Sequence, residues 1–501
     1  MLQSPQGDLS VGNVSVSGLI GGNVNLSAAR RLVFDNADVL SFTYGPEIGG
    51  NIILNADAID ITNGSRVAAS ATGPGDGGTV TVTGRQLSIQ GAAGQITGIG
   101  TDTLPDSSGR GGDQILNLTD SIQIIGSEPG PFVPDITDES AVIRAASLRT
   151  GITSATLGSG ESGDIAITTN RFVVRDGAGL TTASLAFSDN PGAGGTLRLT
   201  ANTAEFRGLA GLASATLGAA PAGDIVVNAN RLALFDGAAI TADAIPEATT
   251  AVTGNTPGIG RAGNIDIEAD NILLDNLARI STSSTTGDGG NITLRDIGVL
   301  RMRRGASPDD PDESIGGIFT DGGANSGEGD GGFINITADT IFAIAEENTD
   351  ISARAFLDIG GRVTVQVGFK RGIDFRNPPT PLSDITTASE LGESGTADVE
   401  ITALDPTQGL AALPDEPRGP EVIEGCAIRG STEAVGFFDL GRGGRLSAPE
   451  DLLTADSILV EWTSLDLIET AAEETEATAR SPHFSAPEPY LVATCESLHD
   501  D

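Results

Sequence analysis

The chain has 501 residues, of which 68 are Gly, while aromatic residues make up 4% and charged residues 19%. Collagen is excluded because the glycines follow no three-residue period, and a membrane-spanning helix is excluded because no apolar run approaches the ~18 residues that a bilayer requires. The excess of 68 Asp and Glu over 28 Lys and Arg gives a net charge of -40, which argues against a nucleic-acid partner because phosphate binding needs a positive surface.

A pair made of a small residue and Gly, followed by an alternating strand, recurs from residue 21 to about residue 395. Repetition at this spacing is typical of solenoid proteins. The clearest copies are Gly22-Asn23-Val24, Gly50-Asn51-Ile52, Gly78-Thr79-Val80, Gly163-Asp164-Ile165, Gly195-Thr196-Leu197, Gly223-Asp224-Ile225 and Gly263-Asn264-Ile265. Looser copies begin at Gly112, Gly290, Gly332, Gly361 and Gly395.

Within a copy, the apolar residues keep fixed offsets from the Gly that ends the pair. When the copies are aligned, each offset forms a column of apolar residues. The copy at Gly223 has an apolar residue in five columns, and so do the copies at Gly50, Gly163 and Gly263. Pairs of apolar residues at period two predict strands with one buried face, and the Asn and Asp-Gly positions between them predict turns. Each copy is therefore expected to form three short strands and three corners. The five columns at Gly223 are Ile225, Val227, Leu232, Leu234 and Ile240.

Three short strands cannot bury their inward faces alone, but stacked copies form parallel sheets around one continuous core. The sequence thus predicts an all-β fold: a parallel β-helix of about a dozen coils over residues 1–404. The usual handedness of parallel crossovers predicts that the coil is right-handed. Asn or Asp often follows the Gly pair, so we expect side chains at this corner to hydrogen-bond from coil to coil.

The repeat stops beyond Ile401. Residues 405–424 form a Pro-rich linker in this interpretation, and residues 425–501 form an irregular C-terminal segment that caps the helix and is partly disordered. Cys426 and Cys495 are the only cysteines. They cannot build a disulfide scaffold, but we expect them to form one bridge if the protein is exported, because an oxidising compartment preserves such a bond.

The copy from Ala222 to Ile240 resembles the coils of filamentous-haemagglutinin-type exoproteins of two-partner secretion. Three segments of the tail resemble the usual ending of haemagglutinin-like or S-layer-like members: Asp405-Pro406-Thr407-Gln408-Gly409-Leu410, Glu424-Gly425-Cys426 and Gly441-Arg442-Gly443-Gly444. The resemblance covers nearly the whole chain. It implies export through an outer-membrane two-partner-secretion transporter and adhesion to a host or neighbouring cell surface, to glycans or to matrix.

The chain departs from this family at its start. Members begin with a signal peptide and a secretion domain that carries Asn-Pro-Asn motifs, whereas the nearest dipeptides here are Asn190-Pro191 and Asn377-Pro378. The first residues show neither a basic nor an apolar region of a signal peptide. We therefore expect the C-terminal portion of a secreted or cell-surface, outer-membrane-associated protein, the alternative being a truncated reading frame.

Gly-Asp-Gly-Gly corners place Asp76, Asp288 and Asp330 as candidates for weak calcium binding. The calcium-roll pattern needs tandem nonapeptides so that consecutive turns share each ion, whereas these corners occur singly and far apart. Plain turn chemistry is therefore the favoured interpretation. No other metal site and no cofactor are expected.

Catalysis is the alternative, because the same fold hosts pectin lyases and polysaccharide hydrolases. The many carboxylates form no distinctive pair, and the coils contain no His for nucleophilic catalysis, so no catalytic residue is assigned. The run Arg301, Arg303 and Arg304 beside acidic residues is interpreted as a solvated loop, with a small-anion or acidic-glycan contact as the alternative. The expected function is that of a non-enzymatic adhesin-type exoprotein, the second candidate being a β-helical polysaccharide lyase or hydrolase.

Overall fold

A computed structural model describes residues 1–103, 107–127, 150–184, 192–216, 220–244, 260–307, 313–323 and 327–402. In these residues the regular structure is β, apart from one 3-10 turn at Ala345–Glu347. No helix within the described ranges is long and apolar enough to cross a membrane.

The strands, in chain order, begin with β1 Leu2–Ser4, β2 Leu9–Val11, β3 Val14–Ser15, β4 Val24–Ala28, β5 Arg31–Asp35, β6 Asp38–Leu40, β7 Ile52–Thr62, β8 Arg66–Ala68, β9 Val80–Gln90, β10 Thr97–Gly100, β11 Gln114–Ile125, β12 Thr150–Thr153, β13 Ile165–Arg175 and β14 Gly179–Thr181. They continue with β15 Leu197–Arg207, β16 Gly211–Ala213, β17 Ile225–Phe235, β18 Ala239–Thr241, β19 Ile265–Asp275, β20 Arg279–Ser281, β21 Asn291–Arg303, β22 Gly317–Phe319, β23 Phe333–Phe342, β24 Asp350–Ser352, β25 Arg362–Arg371, β26 Asp374–Phe375, β27 Asp384–Thr386 and β28 Thr396–Ile401.

These strands form two parallel sheets, one of 15 strands and one of 13 strands in the described ranges. Each coil of the chain contributes one layer of strand to each sheet. Strands β13, β15, β17 and β19 are therefore neighbours in the first sheet, and β14, β16, β18 and β20 are neighbours in the second. The predicted parallel β-helix is therefore confirmed, and 13 levels agree with about a dozen coils. Its right-handedness stays a prediction.

The end of the helix agrees with the end of the repeat, since the last described strand, β28, ends at Ile401. The chain divides into Met1–Ala411 and Ala412–Asp501. The expected linker at 405–424 and the expected capping segment at 425–501, including Cys426 and Cys495, lie outside the described residues.

The sequence predicted that each coil has three separate strands, and the structure differs from this prediction in the first two. They are separate in the first two coils, as β1 and β2 and then β4 and β5, but from β7 onward they merge into one long bent strand. In β17, pairing to β15 holds at Ala229 and resumes at Arg231, so the ladder breaks only at Asn230. The Asn230 amide there donates to Oδ1 of Asn202 in the coil below, at 2.6 Å. One residue thus makes the bend without ending the strand.

The predicted apolar columns form the core. Leu197, Ile225 and Ile265 occupy equivalent positions in successive coils, and each side chain is at most 1% exposed. In the second sheet, Ile240 stands between Leu212 and Ile280 in the same way. Full burial of an aliphatic side chain contributes about 1.5–3 kcal/mol, so each column adds one such contribution per coil.

One position interrupts the first column. Gln114 stands between Val80 and Ile165 and is fully buried. Its Nε2 donates to Oγ1 of Thr101 at 3.1 Å and to the Thr153 carbonyl, whereas its Oε1 has no partner in the described part of the chain. A buried acceptor without a donor costs ~1–3 kcal/mol, so this coil is locally less stable than its neighbours.

Candidate functional site at the glycine corner

The Gly that ends each pair is required because the coils approach closely at this corner. A Cβ on Gly223 would lie 2.0 Å from the carbonyl oxygen of Gly195 in the coil below. The first residue of the pair has more room, since a Cβ on Gly194 would lie 2.6 Å from the amide nitrogen of Gly223. Ala222 and Ala262 occupy that first position in other coils. The second position of the pair therefore requires Gly, whereas the first position also accepts Ala.

The residue after the pair builds a side-chain ladder along the corner, as predicted. Oδ1 of Asn23 accepts the backbone N–H of Asn51 at 2.8 Å, and Oδ1 of Asn51 accepts the N–H of Thr79 at 2.9 Å. Further along, Oδ1 of Asp224 accepts the N–H of Asn264 at 2.9 Å. These oxygens satisfy backbone donors where the strands start, in the manner of a helix N-cap.

The ladder ends after Asn291. In the following coils its position is occupied by Phe333, Arg362 and Thr396, which are neighbours in register. The N–H of Phe333 donates instead to the carbonyl of Gly290 at 3.3 Å, and the N–H of Arg362 to that of Gly332 at 3.0 Å. Because backbone carbonyls replace the side-chain acceptors, these outward side chains are released from a structural role.

A groove of about 540 Å³ lies along the corner where the ladder ends. Its walls combine an apolar surface with hydrogen-bonding groups, because Phe333 is 57% exposed and Ile359 is 51% exposed beside charged and amide side chains. Those polar groups come from five coils and are Arg261, Asn264, Asp288, Asn291, Asp330, Arg362, Ser394 and Thr396.

The charges in the groove balance. Arg261 pairs with Asp288, whose Oδ2 lies 3.0 Å from the guanidinium. Arg362 forms no ion pair with the described residues, and Asp330 carries the remaining negative charge. Two guanidinium groups therefore face two carboxylates, which leaves a neutral groove on a chain of net charge -40.

The three calcium candidates have a common structural task. Oδ1 of Asp76 accepts the N–H of Arg110 at 2.8 Å, Oδ1 of Asp288 accepts that of Asp330 at 3.3 Å, and Oδ1 of Asp330 accepts that of Ile359 at 3.1 Å. Asp288 and Asp330 lie together in the groove, whereas Asp76 belongs to a distant coil. Within the described ranges, no group of three or more His, Cys, Asp or Glu side chains is placed to hold a metal ion.

Two arginines of the run at the end of β21 are paired with carboxylates. Arg303 forms a two-pronged pair with Glu347, at 2.6 and 2.8 Å, and this hydrogen-bonded pair lowers the pKa of Glu347. Arg304 forms a similar pair with Asp275, with both distances 2.8 Å. These pairs bridge adjacent coils, which favours a structural role over an anion site.

Three carboxyl groups near the second sheet have raised pKa values. Burial raises the pKa of Asp102 and of Asp243 to about 6, and that of Asp350 to about 7. Shifted carboxyl groups are candidates for acid–base catalysis, but each of these accepts a backbone N–H from the next coil, those of Ala155, Ser283 and Asp384. They are better understood as buried corner acceptors.

Comparison of the chain with known protein families, with curated proteins and with solved structures found no match in any of the three. The fold therefore defines the class, a parallel β-helix repeat protein, and the groove defines the candidate site. Sequence reasoning found Asp288 and Asp330 but missed Asn291, Phe333 and Arg362. The available signal was the loss of Asn or Asp after the Gly pair in three successive copies.

Proposed function

We propose that the chain is a non-enzymatic secreted or cell-surface protein of the adhesin type, which contacts cells, glycans or matrix. Export through an outer-membrane two-partner-secretion transporter belongs to the same proposal and rests on the resemblance of the coils to filamentous-haemagglutinin-type exoproteins. Function in a repeat protein is carried by sites on its outer surface rather than by the fold itself.

The observation that supports this proposal is the groove at the end of the corner ladder. An exposed aromatic ring and a guanidinium group that forms no ion pair with the described residues lie at the starts of strands that are hydrogen-bonded on both sides, and a pair of opposite charges lies beside them. A rigid wall with outward side chains is suited to recognition, because little conformational entropy is lost when a ligand binds.

One observation favours the alternative, a β-helical polysaccharide lyase or hydrolase. Asp288 and Asp330 lie in the same groove, and enzymes of that kind use two carboxylates beside the scissile bond. Both carboxylates, however, accept backbone N–H groups from the next coil, and Asp288 is also paired with Arg261. These contacts occupy both carboxylates in links between coils, whereas a general acid and its partner must be free to reach the substrate.

The test measures retention and turnover together. The full chain, labelled at its N-terminus, is incubated with fixed cells, immobilised matrix proteins, and neutral and acidic polysaccharides, with an equally acidic globular protein as the control. We expect saturable retention on at least one surface, with no new reducing ends and no unsaturated-uronate absorbance. Retention on none of them would contradict the proposal. Turnover that Asp330→Asn abolishes would establish the enzyme instead.

A further inference from the structure

We infer that the groove at the glycine corner binds a neutral oligosaccharide, with Phe333 as the surface on which one sugar ring stacks. This inference rests on the proposed function and narrows it to one ligand class and one site. It follows from three properties of the groove: its exposed apolar face, its unused hydrogen-bonding groups and its balanced charge.

The apolar face is the first step. Phe333 is 57% exposed at a position that carries a polar residue in every other copy, and Ile359 beside it is 51% exposed. Aromatic residues are only 4% of the chain, so an aromatic ring that is exposed rather than packed in the core is unusual. The C–H face of a pyranose is the natural partner of such a ring, because it is apolar while the ring edge carries hydroxyls.

The second step concerns the hydrogen-bonding groups next to the ring. Asn291 precedes Phe333 in the column, and its Oδ1 is not used by the N–H of Phe333. Arg362 follows Phe333, with no ion pair to the described residues, and Thr396 follows Arg362. Successive coils are about 4.8 Å apart, which is close to the length of one pyranose residue. An oligosaccharide that runs along the corner would therefore meet one outward side chain for each sugar.

The third step decides between neutral and acidic ligands. Two arginines and two aspartates cancel within the groove, and the whole chain carries -40. A polyuronate would be repelled by the long-range field of this surface and by Asp288 and Asp330. Hydroxyl groups, in contrast, donate to carboxylates and accept from guanidinium groups, so a neutral sugar can use both.

The experiment is calorimetric titration of the full chain with cellohexaose and mannohexaose, with hexagalacturonate as the acidic comparison. Phe333→Ala and Arg362→Gln are expected to weaken binding of the neutral probe on the order of tenfold each, which corresponds to ~1.4 kcal/mol. Phe333→Trp is expected to retain binding, because it keeps an aromatic face.

The matched controls are Phe369→Ala and Arg371→Gln, which lie on the same strand, β25, as Arg362 but outside the groove. Phe369 is 50% exposed, so its removal changes exposed aromatic surface by a similar amount. We expect both controls to bind the neutral probe as the unmodified chain does. Thermal unfolding of each variant shows whether Phe333→Ala remains as folded as Phe369→Ala.

Three results would overturn the inference. These are equal losses in groove and control variants, tighter binding of hexagalacturonate than of either neutral probe, and failure of the folded chain to bind any neutral probe. If the chain still adheres to cells or matrix in those cases, the proposed function survives and only the sugar site fails. If the chain binds the neutral sugar but adheres to no surface, the sugar site survives and the proposed function fails.

Discussion

At the scale of single residues, the glycine pairs are explained by distance rather than by flexibility. The Cβ positions built on the second glycines point at backbone carbonyls of the coil below, for example 2.0 Å between Gly223 and the Gly195 oxygen. A backbone atom cannot rotate away as a side chain can. A methyl group at this position must therefore push two coils apart.

We expect Gly223→Ala to lower the free energy of unfolding by about 1–3 kcal/mol, the usual cost of forcing atoms into a packed site. The control is Ala222→Gly, which changes the neighbouring residue in the opposite direction and costs at most ~1 kcal/mol through chain entropy. Chemical unfolding followed by circular dichroism measures both. Equal losses in the two variants would contradict the close-approach explanation.

The Gly-Asp-Gly-Gly corners show, also at the scale of single residues, why the sequence could offer a calcium site only as a candidate. Gly-Asp-Gly-Gly resembles a metal-binding turn in sequence, yet the carboxylates of Asp76, Asp288 and Asp330 each accept an N–H from the next coil. The sequence shows which residues carry oxygen atoms that could bind a metal, but it does not show what those oxygen atoms contact. Weak calcium binding stays the untested alternative to plain turn chemistry, and titration of the chain with calcium would test it.

At the scale of elements, the alternation of β17 decides which side chains stabilise the helix. Val227 points inward and is 1% exposed, whereas Val226, next to it, is only partly buried on the outer face. We expect Val227→Ala to cost about 1–3 kcal/mol through lost burial and the cavity that remains. Val226→Ala removes the same two methyl groups and should cost clearly less.

The comparison of these two variants by denaturant unfolding is a direct test of the strand register. Similar costs for both would mean that the inward column has been assigned to the wrong face. The order of the costs is safer to compare than their absolute values, because long repeat proteins do not always unfold in one step.

The elements also show what the sequence could and could not predict. The inward columns were visible because burial imposes period two on the residues themselves, as at Ile225 and Val227. The merging of two strands at Asn230 was not visible, since it depends on hydrogen bonds that continue across a bend. The groove was missed for a related reason: Phe333 and Arg362 become neighbours only through the stacking of coils.

At the scale of the whole molecule, a net charge of -40 must be reconciled with close stacking of coils. Arginines do part of this by pairing across coils, as Arg66 does with Asp38 at 2.6 Å and Arg295 with Asp266 at 2.7 Å. Exposed pairs of this kind contribute only ~0–1 kcal/mol each. The general repulsion is therefore reduced rather than removed, and it weakens as carboxylates are protonated.

The buried carboxyl groups add a specific dependence on pH in the same direction. Burial raises the pKa of Asp350 to about 7, although the backbone N–H of Asp384 and the charge of Arg354 act in the opposite direction. Because the folded chain holds this proton more tightly than the unfolded chain, the contribution to stability is complete below the ordinary pKa of 3.8. It is lost as the pH rises through about 7. We therefore expect the chain to be more stable at pH 5 than at pH 8.

Asp350→Asn separates this specific effect from the general repulsion. The amide oxygen can still accept the N–H of Asp384, which now donates to Oδ1 of Asp350 at 2.8 Å, but it carries no charge at any pH. We expect the variant to be more stable than the original chain at pH 8, and its stability to fall less steeply between pH 4 and pH 7, by up to about 1.4 kcal/mol per pH unit. Asp339→Asn removes the same charge from an exposed position and should leave that slope unchanged. Denaturant unfolding at a series of pH values would refute the assignment if the two variants gave the same slope, because the pH dependence would then arise from overall charge alone.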